Sequence, residues 1–252
     1  KHFGHAIKTL KTTTIGDIFQ QVDNEAAHYG VVPIENSTEG VVTHTLDKFL
    51  TSSLQICGEV ELRIHHHLLS NVEDLKNINI VYSHQQSLGQ CRQWLHSNLP
   101  GVETVAVNSN AEAAKLAAQE VGSAAIAGAL AAEIYGLTKR VSHIEDTRDN
   151  TTRFLVIGNR EVPASGIDKT SLMVSTKNEA GALQSVLQPF SDENISLNKI
   201  ESRPSRQHAW EYVFFIDIDG HKDDTNIAKV LEKLKSSVSF VKVLGSYPKA
   251  VI

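Results

Sequence analysis

Asn150-Thr151-Thr152-Arg153-Phe154-Leu155-Val156-Ile157-Gly158 sets an amide, two hydroxyls, a guanidinium and an aromatic ring immediately before an apolar run. The run Leu155-Val156-Ile157-Gly158 reads as a buried strand, because a short apolar stretch rich in β-branched residues packs well on a pleated sheet. Polar groups at the mouth of a strand are where open α/β domains receive ligands, and an arginine beside hydroxyls suits a small anion. Taken alone, the stretch reads first as a capped turn leading into a core strand. Its position after a run of alternating strands and helices gives it a second meaning: it returns the chain to an earlier lobe.

Upstream, a helix is expected at about Ile15–Val22 with Thr14 as N-cap and Asp17 in its first turn, then a short strand at Tyr29–Pro33. The polar run Glu35-Asn36-Ser37-Thr38-Glu39-Gly40 leads into a helix that gathers Val41, Val42, Leu46, Phe49 and Leu50 on one face. A strand, polar turn and helix in that order present backbone N–H groups to an anion. Leu54–Leu69 alternates as one or two strands. From Asn79 the rhythm is regular: strand Ile80–Tyr82, helix Gln86–Ser97, strand Val102–Val107, helix Ala111–Glu120, strand Ser123–Ala127, helix Ala129–Tyr135. Such alternation predicts a parallel sheet with helices on its faces. With the returning strand, two α/β lobes around a central cleft are expected within residues 1–160: lobe 1 about 1–70 and 150–160, lobe 2 about 71–149. Residues 161–168, with Pro163 and Gly166, read as a linker. Residues 169–252 then run strand Thr170–Thr176, helix Ala180–Phe190, strand Ile195–Arg203, strand Trp210–Asp217, helix Thr225–Lys235, strand Val238–Ser246. This is the ferredoxin-like βαββαβ order, in a unit long enough to be its own domain.

Lys and Arg number 24 against 29 Asp and Glu, a net charge of −5 with no long block of one sign, which argues against nucleic acid and anionic membranes as partners. No apolar run approaches the roughly 18–20 residues that span a bilayer and no signal peptide opens the sequence, so a cytoplasmic location is expected. Cys57 and Cys91 lack a CxxC pattern and read as packing residues. His65-His66-His67 invites a metal. Flanked by Leu62, Ile64, Leu68 and Leu69, however, it reads as a strand with His65 and His67 on one face, lacking a carboxylate or thiol partner, and no metal is expected.

Three polar clusters stand at element junctions: Glu35-Asn36-Ser37-Thr38, Ser83-His84-Gln85-Gln86 with Gln90, and Asn150-Thr151-Thr152-Arg153. Gln86 and Gln90 share a helical face behind Ser83 and His84, of which Ser83 also reads as a plain N-cap. The order Val32-Pro33-Ile34-Glu35-Asn36-Ser37, then Tyr82-Ser83-His84-Gln85-Gln86 with Gln90, then Thr152-Arg153-Phe154, followed by a βαββαβ unit, resembles the prephenate dehydratase family. The C-terminal unit resembles the ACT regulatory module, with Gly181-Ala182-Leu183 at its first helix and Glu201-Ser202-Arg203-Pro204 ending its second strand.

The resemblance implies a periplasmic-binding-protein-like catalytic domain that converts prephenate to phenylpyruvate, losing CO₂ and water without a cofactor. It assigns Thr152 as proton donor to the departing hydroxyl and Arg153 as anion clamp. Asn36, Ser37, Thr38, Ser83, His84, Gln86, Gln90, Asn150 and Phe154 are the implied substrate neighbours, Phe154 reading also as a core wall. Phenylalanine is the implied effector, bound by Gly181, Ala182, Leu183, Glu201, Ser202, Arg203 and Pro204 in a homodimer or homotetramer. The chain departs from the family pattern at Gln85, where relatives carry Pro. It also opens at Lys1-His2-Phe3-Gly4, past the family's first strand and Gly-rich turn, so part of one wall is expected to be missing. Rival readings are an arogenate dehydratase and a non-catalytic solute-binding sensor.

Overall fold

The computed structural model describes residues 3–4, 7–176, 179–205 and 212–250, so the opening Lys1-His2 and the expected strand start at Trp210 lie outside the described residues. The chain divides into two compact units, Lys1–Leu62 with Thr152–Ile252, and Arg63–Thr151. Among the described residues no helix is long and apolar enough to cross a membrane.

Helix α1 (Ile15–Asp23) starts on a reciprocal capping box: Thr14 Oγ1 accepts the Asp17 N–H, and Asp17 Oδ2 accepts the Thr14 N–H. Strand β1 (Tyr29–Asn36) turns into β2 (Gly40–Val41), with Glu35 opposite Val41 and Asn36 opposite Gly40. The expected polar turn is therefore the turn of a hairpin, and Val41, expected on the helix that follows, lies on β2 instead. Asn36 Oδ1 accepts the N–H groups of Thr38 (2.9 Å) and Glu39 (3.0 Å), and Gly40 closes the turn at φ +85°. Helix α2 (Thr43–Phe49) follows without a side-chain cap, and β3 (Gln55–Arg63) completes this half of the unit.

The second unit holds β4 (His67–Ser70), β5 (Ile80–His84), α3 (Gln85–Gln90), α4 (Arg92–Asn98), β6 (Glu103–Val107), α5 (Asn110–Gln119), β7 (Ser123–Ala127), α6 (Ala129–Tyr135) and β8 (Thr138–Val141). Its sheet runs β6-β5-β7-β4-β8. β5 lies parallel to β6 and β7, whereas β4 is antiparallel to β7 and β8, so the sheet is mixed rather than wholly parallel. The helix expected over Gln86–Ser97 breaks at Cys91 because its second half has a cap of its own: Asp146 accepts the N–H groups of Gln93 and Trp94. Burial, with Asp146 and Glu145 nearby, pushes the Cys91 thiol up to about 12, so it stays protonated and packs as a small apolar group.

Strand β9 (Thr151–Gly158) returns to pair antiparallel with β1, Thr152 opposite Asn36 and Arg153 opposite Glu35, in the order β2-β1-β9-β3. Then come β10 (Asp168–Thr176), α7 (Ala182–Asp192), β11 (Leu197–Pro204), β12 (Tyr212–Asp219), α8 (Thr225–Ser237) and β13 (Phe240–Pro248), an antiparallel sheet ordered β11-β12-β10-β13. All nine residues of β10 are buried, because both faces of its sheet are covered. On one face Leu172, Val174 and Ile216 pack with Val186, Phe190, Ile227 and Val230 of α7 and α8. On the other, Met173, Val213, Phe215, Leu244 and Tyr247 share one core with Val32, Ile34, Phe49, Leu155 and Ile157. The βαββαβ part thus shares a core with the β1–β9 sheet as well as keeping one of its own.

The two sheets meet closely at Gly245, beside an irregularity in the β10–β13 register. A Cβ on Gly245 would lie 2.2 Å from the Ile56 carbonyl oxygen and 2.9 Å from Ile56 C and N, all immovable backbone of β3. Gly245→Ala should therefore force the sheets apart and cost about 2 kcal/mol or more in urea unfolding. An unchanged midpoint would show that the contact yields without cost.

Candidate active site

In the first unit, Asn36 Nδ2 donates to Thr152 Oγ1 at 2.8 Å, across 116 residues of sequence. The β1–β9 register places the pair opposite each other, and the turn amides on Asn36 Oδ1 fix which end of the amide faces Thr152. Thr152 Oγ1 accepts in this contact, so its own proton remains available to donate outward. A hydroxyl that accepts one hydrogen bond becomes a better donor of another. Ser37 and Thr38 are exposed in the adjoining turn. Phe154, two residues along from Thr152, is partly exposed and belongs to none of the buried core clusters, so it is not the core wall read from sequence.

Arg153 alternates to the opposite face. Its Nε donates to Glu59 Oε2 (2.7 Å), one terminal nitrogen to Asp217 Oδ2 (2.7 Å), and the other to the Tyr247 hydroxyl (3.1 Å). Lys169 Nζ reaches both oxygens of Glu59 at 2.9 Å, while Ser171 Oγ bonds Asp217 (2.6 Å) and the Tyr247 hydroxyl (2.7 Å). Burial alone would lower the Arg153 pKa, but Tyr247, Asp217 and Glu59 more than offset it and hold the charge firmly. Burial and the Asp217 and Glu59 carboxylates push the Tyr247 phenol well above its ordinary range, so it remains protonated. The expected anion clamp is therefore corrected: the guanidinium is spent on internal carboxylates, joining β9 and β3 to β10, β12 and β13.

Two further ion pairs tie β11 to the first sheet and its helix. Lys199 Nζ lies 2.7 Å from Glu35 Oε2, one residue before Asn36, and Arg203 Nε and Nη2 contact Asp47 Oδ1 on α2 at 3.2 and 2.9 Å. Arg203, expected as an effector ligand, is thus engaged with Asp47. Gly181 stands as the N-cap of α7 at φ +85°, ahead of Ala182, with no side-chain cap on the helix. Leu183 is exposed, Glu201 is half-buried, and Ser202 and Pro204 are exposed on the edge strand β11.

In the second unit Ser83 is fully buried, its hydroxyl bonded to Ile126 O (2.8 Å) and Asn110 Oδ1 (3.0 Å). It belongs to the sheet rather than to a ligand surface, and it is not the N-cap. His84 takes that place, its Nδ1 3.4 Å from the Gln86 N–H, while its own N–H is held by Asn110 Oδ1. Gln86 is exposed. Gln90 Oε1 accepts from His66 Nε2 (2.7 Å) and Asn150 Nδ2 (3.3 Å), leaving its amide N–H groups to donate. Buried His66 Nδ1 has no hydrogen-bond partner among the described residues.

The 142–150 loop braces this arrangement. Ile144 N donates to His66 O, the Asp146 N–H to Gln90 O, and Ile64 N to Asn150 O. Glu145 is buried; burial by itself would raise its pKa, yet hydrogen bonds from His65 Nδ1 and the His66 N–H bring it down to about 2. His65 and His66 precede β4 instead of lying within a strand, and His66 and His67 are both buried, so the expected alternation of faces fails. Sequence reasoning missed Asn110, His66, Glu145, Glu59 and Lys199. Each acts through a partner more than twenty residues away, and no local spacing marks it.

Arg153→Ala would bury Glu59 and Asp217 without their main counter-charge, an expected loss of about 3–5 kcal/mol. Arg153→Lys should lose much of this too, since one ammonium cannot serve three partners in a fork. Urea unfolding checks both; a near-native stability for Arg153→Ala would refute the internal role.

A family profile described as prephenate dehydratase matches residues 1–162, and one described as ACT domain matches residues 170–236. A bifunctional chorismate mutase/prephenate dehydratase of Pseudomonas aeruginosa is 55% identical over 253 residues, covering 100% of this chain and 69% of the relative. The solved prephenate dehydratase of Arthrobacter aurescens in complex with L-Phe is 34% identical with a TM-score of 0.86, over 95% of this chain and 81% of that one. GqqA, described as a novel type of quorum quenching acylase, is 26% identical with a TM-score of 0.86, over 97% and 90% of the two chains. With a family profile spanning more than half its length and a relative this similar, the chain belongs to the prephenate dehydratase family of enzymes and carries an ACT domain after the dehydratase region.

Proposed function

We propose that this chain catalyses the decarboxylating dehydration of prephenate to phenylpyruvate with Thr152 as the proton donor. The observation that carries the assignment is the Asn36–Thr152 hydrogen bond, which orients the hydroxyl as acceptor toward Asn36 and donor toward a ligand. As the ring carboxylate leaves as CO₂, its bonding electrons enter the ring and expel the C4 hydroxyl, which takes a proton and departs as water. Aromatisation supplies the driving force, so the protein has to orient the substrate and protonate a poor leaving group. General-acid assistance of this kind contributes about 10²–10⁴-fold. Asn36, Ser37, Thr38 and Phe154 of the first unit are proposed substrate contacts; in the second unit His84, Gln86, Gln90 and Asn150 are proposed as ligand-binding polar groups. Neutral donors among them suit a carboxylate that must be lost, because a strong ion pair would stabilise the ground state.

Thr152→Ala should lower kcat by about 10²–10⁴-fold with KM little changed, and Thr152→Ser should restore part of the loss. Formation of phenylpyruvate from prephenate, followed by its ultraviolet absorbance, is the measurement, with arogenate run in parallel. Near-normal turnover by Thr152→Ala would remove the hydroxyl from the mechanism. No turnover of prephenate by the unaltered chain would sink the substrate assignment.

Phenylalanine is the proposed effector of the ACT domain, bound near Gly181–Leu183, where the uncapped start of α7 offers N–H groups to a carboxylate. Leu183, Ile200 and Tyr212 of this domain are exposed, apolar surface that a second copy would cover in a homodimer or homotetramer. A response would reach Thr152 through β11, whose Lys199 holds Glu35 beside Asn36. Lys199→Met should raise the phenylalanine concentration for half-inhibition by about tenfold while calorimetric binding of phenylalanine changes little. Inhibition identical to that of the unaltered chain would exclude this route, and light scattering with and without phenylalanine reports the assembly.

A further inference from the structure

The sequence offers the His65-His66-His67 triplet no carboxylate, but the fold brings one from 80 residues away. Glu145 Oε1 lies 2.9 Å from His65 Nδ1 and 3.5 Å from His143 Nδ1, and the three ligand atoms all fall within 4.8 Å of one another. Among the described residues, the ion pairs of this buried carboxylate are with those two imidazoles and with no lysine or arginine. We propose that His65, His143 and Glu145 form a binding site for a zinc-like divalent transition metal ion.

Two of the three separations fit that reading, and the third, between the two imidazole nitrogens, is no more than 4.8 Å. Tetrahedral zinc with ligand bonds of about 2.0–2.2 Å places its ligand atoms roughly 3.3–3.5 Å apart. The His143–Glu145 separation is already in this range, and the His65–Glu145 contact needs to open by only a few tenths of an ångström. The ligands are also held in place. Glu145 Oε2 accepts the His66 N–H at 2.9 Å, which turns Oε1 toward the imidazoles. His143 adopts φ +56°, a conformation uncommon for a non-glycine residue, and its N–H donates to His67 Nδ1 at 3.2 Å. The His65 and His143 rings stand edge to face, with centroids 4.4 Å apart. Both side chains are partly exposed, at 36% and 48%, so an ion can arrive from solvent and water can complete its shell.

Two nitrogens and one carboxylate oxygen select zinc, cobalt or nickel over magnesium, which prefers oxygen ligands. A bound ion would pin the 143–145 segment to residues 65–66. The site stands whether or not Thr152 is the proton donor.

The test is calorimetric titration of the chelator-stripped whole chain with zinc chloride, and separately with magnesium chloride, for the unaltered protein, His65→Gln and His143→Asn. Asparagine tolerates the left-handed backbone at 143, both positions are solvent-accessible, and circular dichroism confirms that each variant is folded. One zinc ion per chain, no comparable magnesium binding and a loss of at least about tenfold in zinc affinity in each folded variant are expected. Zinc should also raise the Tm of the unaltered chain and leave that of the variants nearly unmoved. Absence of a zinc site, equal binding of magnesium, or variants that bind zinc as the unaltered chain does would each overturn the assignment.

Discussion

The first unit depends on the buried guanidinium of Arg153. It draws Glu59 from β3 and Asp217 and Tyr247 from β12 and β13 around a residue of β9, and Lys169 of β10 closes the charge balance on Glu59. Taking these ions out of water is costly, so they add specificity only because nearly every donor meets an acceptor. The apolar contacts around them are not directional. The network is, and it permits one placement of the βαββαβ sheet against the β1–β9 sheet.

That placement has a chemical consequence because strand side chains alternate. With Arg153 turned toward the βαββαβ sheet, Thr152 must face the other way, where the β1–β9 register meets it with Asn36. Glu35 shares the Arg153 face and is reached by Lys199. Two adjacent residues on each of two paired strands therefore face opposite ways: Asn36 and Thr152 bond each other on one face, and Glu35 on the other joins that strand end to β11. Lys199 of β11 thus reaches the residue next to Asn36 directly, without a loop between them.

The second unit solves a similar problem with hydrogen bonds from one loop. Residues 144–150 cap α4 through Asp146, hold the His66 backbone through Ile144 and Glu145, and meet the Gln90 side chain through Asn150. Gln90 thereby has its amide oxygen occupied by His66 and Asn150. The buried Ser83, by contrast, shows how a polar residue in a family motif can serve the sheet that holds its neighbours, here by fixing Asn110, which in turn holds the His84 N–H.

Most of the helices and strands, the βαββαβ order, the N-cap at Thr14 and the family motifs at Asn36, Gln90 and Thr152 were legible in the sequence, because periodicity and capping act over two to four residues. Local pattern misplaced Val41, which lies on a hairpin strand rather than on the following helix, and did not show the helix break at Cys91, which depends on an aspartate more than fifty residues away. That Arg153 points inward, that Lys199 meets Glu35 and that Glu145 meets His65 and His143 follows from tertiary contacts alone. Charges find their partners by proximity in the folded chain, here across 64 to 164 residues, and no local pattern encodes which carboxylate will be there.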